Sequence, residues 1–236
     1  MRFVLLTVIA LSAMVFPTQL VMALAINQVD DFEDGTTQGW IVNLLGLGAH
    51  PSPPQNIPDG GPSGIGDNYL QIESVGGNAE GSRLSVINLG QWAGDYTSTG
   101  ITGITADLNN FGATDLNIRL LFEDPTIGPP TNVAVSTDVF LPAGGGWTPV
   151  TFGVTAADLT TLQGDVNALL SGVTALRFIH NPDAGFPPPP IVALLGIDNI
   201  QAIGPAVIPE PSTAVFFAVG ILGILGLGLK RRRKAT

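Results

Sequence analysis

Apolar side chains recur at every second position in several short stretches of the chain, the period of a strand with one dry and one wet face. The clearest is 116–123, where Leu116, Ile118, Leu120 and Phe122 share one face. Asn117, Arg119 and Glu123 point the other way, with Leu121 the one exception. Ile104, Ala106 and Leu108 alternate similarly, as do Val133, Val135 and Val139 with Thr137 between, and Val150, Phe152 and Val154. Each set predicts a sheet buried on one side. Further strands are expected at 69–74, 83–89, 175–179 and 196–203. Gly, Pro, Asn, Asp, Ser and Thr separate these runs, and helix-length periodicity is nearly absent, so the pattern predicts an all-β fold of two packed antiparallel sheets. Single helical turns are expected at Thr155–Leu159, capped by Thr155, and at Asp165–Leu170, stopping at Gly172. Two long loops, 44–66 and 181–190, are rich in Pro and Gly and are candidates to rim a binding surface.

Both ends depart from this alternation. Met1-Arg2 is a short positive start, Phe3 to Phe16 an apolar run, and Ala23-Leu24-Ala25 a small-x-small cleavage site, so residues 1–25 read as a signal peptide and Ile26 as the mature start. A single uncleaved anchor is the alternative. At the other end, Ile208-Pro209-Glu210-Pro211-Ser212 precedes an apolar run, 213–229, about the minimum length that spans a bilayer. Lys230-Arg231-Arg232-Arg233-Lys234 follows and should stay cytoplasmic, which places the preceding protein outside.

This tail, 207–236, resembles the PEP-CTERM sorting signal of Gram-negative bacteria: a Pro-Glu-Pro tripeptide (Pro209, Glu210 and Pro211), a short transmembrane helix and an Arg-rich end. The resemblance implies a membrane-embedded exosortase-type transpeptidase as partner. It also implies an inner-membrane intermediate, processing near the tripeptide, and delivery to the cell surface or extracellular matrix. The plainer reading is an ordinary C-terminal anchor.

What remains, 26–206, suits one domain. The chain has no cysteine, which excludes disulfides and thiolate-metal chemistry. The domain's only basic residues are Arg83, Arg119 and Arg177, against eighteen Asp and Glu (nineteen in the chain, less Glu210). Nucleic acid and anionic lipid are excluded as partners, because phosphate binding depends on Lys and Arg clusters.

Within the domain, Asp30-Asp31-Phe32-Glu33-Asp34-Gly35 followed by Gly39-Trp40, then Gly66-Asp67-Asn68-Tyr69-Leu70, and finally Ile197-Asp198-Asn199-Ile200 resemble elements of carbohydrate-binding-module-like jelly rolls of the galactose-binding-like group. The resemblance implies a two-sheet antiparallel jelly-roll sandwich and one structural calcium ion, with Glu33 and Asp198 as the positions carried over. In a jelly roll the first and last strands can lie close, so Asp31 or Glu33 could meet Asp198 and offer calcium the oxygens it prefers. Solvated edge carboxylates are the other reading.

Sugar binding calls for aromatic faces with amides and carboxylates beside them. Trp92 and Tyr96 lie in the polar stretch Gln91-Trp92-Ala93-Gly94-Asp95-Tyr96 and are expected to be exposed, and Trp147 follows three glycines. Trp40 reads as core, while Asp107 and Asn109 could supply polar contacts. Catalysis has little to stand on. His50 and His180 read as solvated loop residues, and no nucleophile elbow, zinc helix or phosphate loop occurs. The expected function is a non-catalytic surface or matrix protein, with or without a polysaccharide ligand; the alternative, a glycan hydrolase, would need two carboxylates about 5 to 9.5 Å apart in a cleft.

Overall fold

The computed structural model describes residues 24–42, 52–78, 82–125 and 128–205. The predicted leader up to Met22 and Ala23, His50, the Pro209-Glu210-Pro211 motif, the apolar run and the basic end lie outside the described residues. Among those described, no helix is long and apolar enough to cross a membrane.

Within the unit that ends at Ile203, the described residues form twelve short strands and two helical turns. The strands are β1 (Val29–Asp30), β2 (Gln55–Ile57), β3 (Tyr69–Val75), β4 (Ser85–Asn88), β5 (Gly103–Asn110) and β6 (Leu116–Asp124), followed by β7 (Asn132–Val135), β8 (Val139–Leu141), β9 (Thr148–Gly153), β10 (Thr160–Gln163), β11 (Ala175–His180) and β12 (Val192–Ile203). The turns are α1 (Tyr96–Thr99) and α2 (Val166–Leu170).

One sheet runs β2-β3-β12-β5-β9 with β1 on β12, and the second runs β10-β7-β6-β11-β4 with β8 on β6. Without the short strands β1, β2, β8 and β10, eight remain. In chain order the first sheet holds the first, eighth, third and sixth of them, and the second holds the fifth, fourth, seventh and second. Every pairing is antiparallel. This connectivity is that of a jelly-roll sandwich.

The period-2 faces meet between the sheets as expected. Leu70, Ile72, Ile104, Ala106, Leu108, Val150 and Phe152 come from the first sheet, and Leu116, Ile118, Leu120, Phe122, Leu176 and Phe178 from the second; all belong to one buried cluster. Val133 and Val135 do not join it. Ala134 between them faces the core, and the two valines form a separate cluster with Leu121 and Ile179 on the outer face of the second sheet, packed against Leu162 of β10. Leu121, the exception in its strand, is apolar because its outer neighbours are covered too.

The stretch at Thr155–Leu159 is a turn and not a helix. Its capping runs opposite to expectation, since the Asp158 carboxylate accepts from both the backbone N–H and the hydroxyl of Thr155. At α2 the cap is Asp165, which accepts from the Ala168 N–H at 2.8 Å, and Ser171 rather than Gly172 ends the turn. α1 was not anticipated: Asp95 caps it through the Ser98 N–H, and Gly100 closes it in the left-handed region at φ 74°. Leu24, just before the predicted cleavage point, is buried in the main core.

Candidate functional site

Trp92 and Tyr96 do not form an exposed platform: both rings are buried. The Trp92 Nε1–H and the Trp40 Nε1–H each donate to Oδ2 of Asp30 at 2.7 Å, and Gln91 Nε2 donates to Oδ1 at 2.6 Å. Tyr96 donates its hydroxyl to the Trp92 carbonyl, and its ring stands edge-on to Phe122. The polarity of the 91–96 stretch therefore turns inward, to satisfy a buried carboxylate on β1. Burial pushes the Asp30 carboxyl up, and the donors from Trp92, Trp40 and Gln91 offset part of that rise. His180 is likewise no solvated loop residue. It ends β11, is buried, accepts the Asn117 N–H on Nδ1, and is held below its usual pKa by desolvation.

A cavity of about 390 Å³ opens on the outer face of the second sheet. Ser85 on β4 and Arg177 on β11 form part of its lining, flanked by Arg83 and by Phe186 of the proline-rich loop. Alternation sets this placement, because Val86, Leu176 and Phe178 point into the core and their strand neighbours must point out. The Arg177 Nε–H donates to Glu123 Oε2 at 2.8 Å, and both side chains are buried. Its guanidinium carbon lies 5.6 Å from the centre of the Phe186 ring, within reach of a cation–π contact. Arg83 Nε is buried and without a hydrogen-bond partner. Arg119, in contrast, is fully engaged: it donates to the carbonyls of Asn181, Ser136 and Pro182 and pairs with Asp138 at 2.9 Å. It thereby ties the 181–190 loop to the sheet, and Phe186, Pro187 and Pro188 of that loop line the cavity.

The outer face of the first sheet gathers the other candidates. Asn109 pairs across to Gly196 and Asp107 to Asp198, and Trp147 lies over Gly196. Trp147 is half-buried and meets Tyr69 and Phe111 edge-on, at ring separations of 5.2 and 5.8 Å. A Cβ on Gly196 would come within 2.7 Å of Phe111, 2.9 Å of Trp147 and 3.3 Å of Tyr69, so the missing side chain is what admits three rings onto the strand. The Trp147 Nε1–H donates to the Gly60 carbonyl at 2.9 Å. On the same sheet, a depression of about 290 Å³ is lined in part by Thr105, Asp107, Thr151 and Asn199.

At the same end, Asp198 is buried and its carboxyl is pushed up to about 7, by burial first and then by the negative fields of Asp67, Asp107 and Glu33. The Asn199 N–H donates to it at 2.7 Å and opposes the rise, from a residue at φ 49° within the β12 irregularity. Glu33 is exposed and accepts the Asn68 N–H at 2.8 Å. Asp31 is exposed and faces the Glu33 N–H and the Gln38 amide. Among the described residues no three His, Cys, Asp or Glu are grouped so as to hold a metal ion. Asp107 and Asp198 sit directly across from one another, but Asp198 is sealed from substrate, whereas a general acid must reach the leaving-group oxygen.

No family model and no curated protein matches the chain. Among solved structures it is similar to part of an exo-β-agarase, at 13% identity and a TM-score of 0.51, over 79% of this chain and 26% of the agarase. It is similar as well to a family 11 carbohydrate-binding module from Clostridium thermocellum in complex with a β-1,3-1,4-mixed-linked tetrasaccharide (12% identity, TM-score 0.49, 76% of this chain and 97% of the module). A family 28 module specific for non-crystalline cellulose is another neighbour (19% identity, TM-score 0.45, 78% and 99%). At these identities the likeness is one of fold.

Proposed function

We propose that the chain is an exported, non-catalytic surface or matrix protein whose jelly-roll domain binds carbohydrate in the cavity on the outer face of the second sheet. The observation that carries this reading is the lining itself: an aromatic ring, a hydroxyl and two guanidinium groups converge on one concave site. Such a set offers an apolar face to sugar C–H groups and donors to their oxygens. A non-catalytic role is favoured because the one cross-strand carboxylate pair at the candidate sites has a buried member. Export and processing at Pro209-Glu210-Pro211 by an exosortase-type enzyme are supported by the order of the three tail elements in the sequence.

A second ligand face is favoured by the ring cluster of Trp147, Tyr69 and Phe111 with Asp107 and Asn109 beside it. A structural calcium ion is part of the same proposal, held by Glu33 and Asp198, with amide and main-chain oxygens completing its shell. The support is the convergence of negative field on a buried carboxylate. Asp31 is left out of this set because its carboxylate is turned toward Glu33 N–H and Gln38.

Two variants tested on a glycan array separate the faces. Ser85→Phe should fill the second-sheet cavity and abolish binding, while Trp147→Ala leaves it unchanged. The reverse pattern would move the site to the first sheet, and binding of no glycan by the unaltered protein would leave a purely structural surface protein. For sorting, a Glu210→Ala chain should stay full-length in the membrane of the native host, and undiminished release would count against recognition of the tripeptide.

A further inference from the structure

We infer that the cavity on the second sheet selects an anionic saccharide, one whose rings carry carboxylates; this rests on the carbohydrate reading of that cavity. The distribution of charge is the first reason. The domain has three arginines and no lysine against eighteen acids (nineteen in the chain, less Glu210), yet two of the three arginines line this one cavity, and among the described residues no carboxylate does. A chain with a net charge of −10 has no general attraction for polyanions, so two arginines gathered on one lining are specific to the site.

The state of each guanidinium is the second reason. Arg177 spends its Nε–H on Glu123, which fixes the plane of the group, and Phe186 stacks against it. Its terminal N–H groups have no acceptor among the described residues, and they present a fixed edge of the kind that meets a carboxylate. Arg83 has no ion-pair partner among the described residues, and its Nε is buried without an acceptor. Such donors are rare in folded proteins unless a ligand, ion or water completes them. Arg119 is the internal control. It too is buried on this face of the sheet, and it is fully paired by carbonyls and Asp138, so the fold can saturate an arginine when its role is structural.

One carboxylate placed between Arg83 and Arg177 would neutralise the unpaired charge and accept from both. Neutral groups at the same site, Ser85 and Asn78, are suited to hydroxyls. At physiological salt, repulsion from the distant acids is screened beyond about 8 Å, whereas direct pairing in the cavity is not.

The test uses the full-length chain in nonionic detergent and calorimetric titration with matched oligosaccharide pairs. Each pair is a short galacturonate, glucuronate or mannuronate oligomer and its fully methyl-esterified counterpart, alongside neutral oligoglucans of equal length. The expected result is binding of an acid form roughly 10- to 100-fold tighter than its ester, the range of a charge-assisted hydrogen bond. Arg83→Gln should lose the same factor, Arg83→Lys should recover part of it, and both should keep the thermal midpoint of the unaltered protein. Ser85→Phe should abolish binding. If acid and ester bind alike and Ser85→Phe removes both, the anionic inference is overturned and the carbohydrate reading stands. If no saccharide of either kind binds, or binding ignores Ser85→Phe, the site reading itself falls, and this inference falls with it.

Discussion

Replacing Trp92 with Phe keeps an aromatic ring in the core but removes one of the two indole donors that hold the buried Asp30 carboxylate at 2.7 Å. A hydrogen bond to a charged acceptor is worth about 1.5 to 3 kcal/mol, and the smaller ring leaves a gap worth about 1 kcal/mol more. The expected loss near neutral pH is therefore about 2.5 to 4 kcal/mol, from a domain whose size suggests a total of about 5 to 15. The loss should depend on pH, with a sign that can be worked out. Burial raises the Asp30 pKa in the folded state, so between 3.8 and that raised value the folded protein holds the proton more often than the unfolded one. Stability then falls as pH rises through this window and levels off above it. The Trp92 donor lowers that pKa, so its removal extends the fall to higher pH. Below the window, where Asp30 is protonated in both states, Trp92→Phe should cost mainly the gap; above it, the full amount. Urea unfolding followed by far-ultraviolet circular dichroism, from pH 3.5 to 8, measures the difference between variant and unaltered protein, in which the other titrating groups cancel. A difference that is flat across this range, or below about 0.5 kcal/mol at pH 7, would refute the account of Asp30 as a charged, donor-held node.

Asp198 gives a related prediction. In chelator, stability should fall as pH rises from about 4 toward 7, because the folded carboxyl titrates near 7 against 3.8 unfolded, and Asp198→Asn should remove this slope. At 1.36 kcal/mol per pH unit, that displacement is worth about 4 kcal/mol at most. Added calcium should raise the melting temperature of the unaltered protein by several degrees and leave that of Asp198→Asn unmoved; a melt indifferent to both calcium and chelator would dismiss the ion. Gly196→Ala would drive a methyl group into Phe111 and Trp147 and should cost about 1 to 3 kcal/mol while shifting the Trp147 emission, the other two tryptophans being buried. Glu123→Ala would strand the Arg177 charge and should cost about 3 to 5 kcal/mol by chemical denaturation; a loss below 1 kcal/mol would mean that the pair is not buried in solution.

The sandwich was legible in the sequence because a strand with a core-facing side carries apolar residues at every second position, and the inward positions of β5, β6 and β9 do so even where, as at Leu121, an outer position is apolar too. Val133 and Val135 show where that rule fails. Alternation says that two residues share a face but not which face, and here Ala134 took the core while β10 covered the valines. Trp92 and Tyr96 show a different failure. A polar, glycine-containing stretch reads as solvated when its partners are distant, and the group that turns it inward, Asp30, is 62 positions from Trp92. Trp147, Asp107 and Asn109 were placed on one face by strand register alone, although the reason that Trp147 can sit there is Gly196, which carries no sequence signal of its own.

The arginines of the second-sheet cavity were the least visible feature, and scarcity was the signal that could have found them. In a domain with three cations and eighteen acids, each cation must be paired, or else left free for a ligand. Arg119 is paired four times over, by three carbonyls and Asp138, and Arg177 once, with Glu123, 54 positions away. Arg83 is the one whose Nε the fold leaves without an acceptor. Sequence composition can say that such a residue matters, but only the pairing of β4 beside β11 says that it shares a cavity with Arg177 and Phe186. The same logic separates the two faces chemically. The first sheet presents Asp107 and an aromatic cluster, and a ligand there would have to be neutral or cationic. The described lining of the second-sheet cavity presents guanidinium groups and no acid, so an anionic chain would be admitted there and repelled on the first. A polymer carrying carboxylates would then meet the domain in one orientation only, set by charge before any hydroxyl is read.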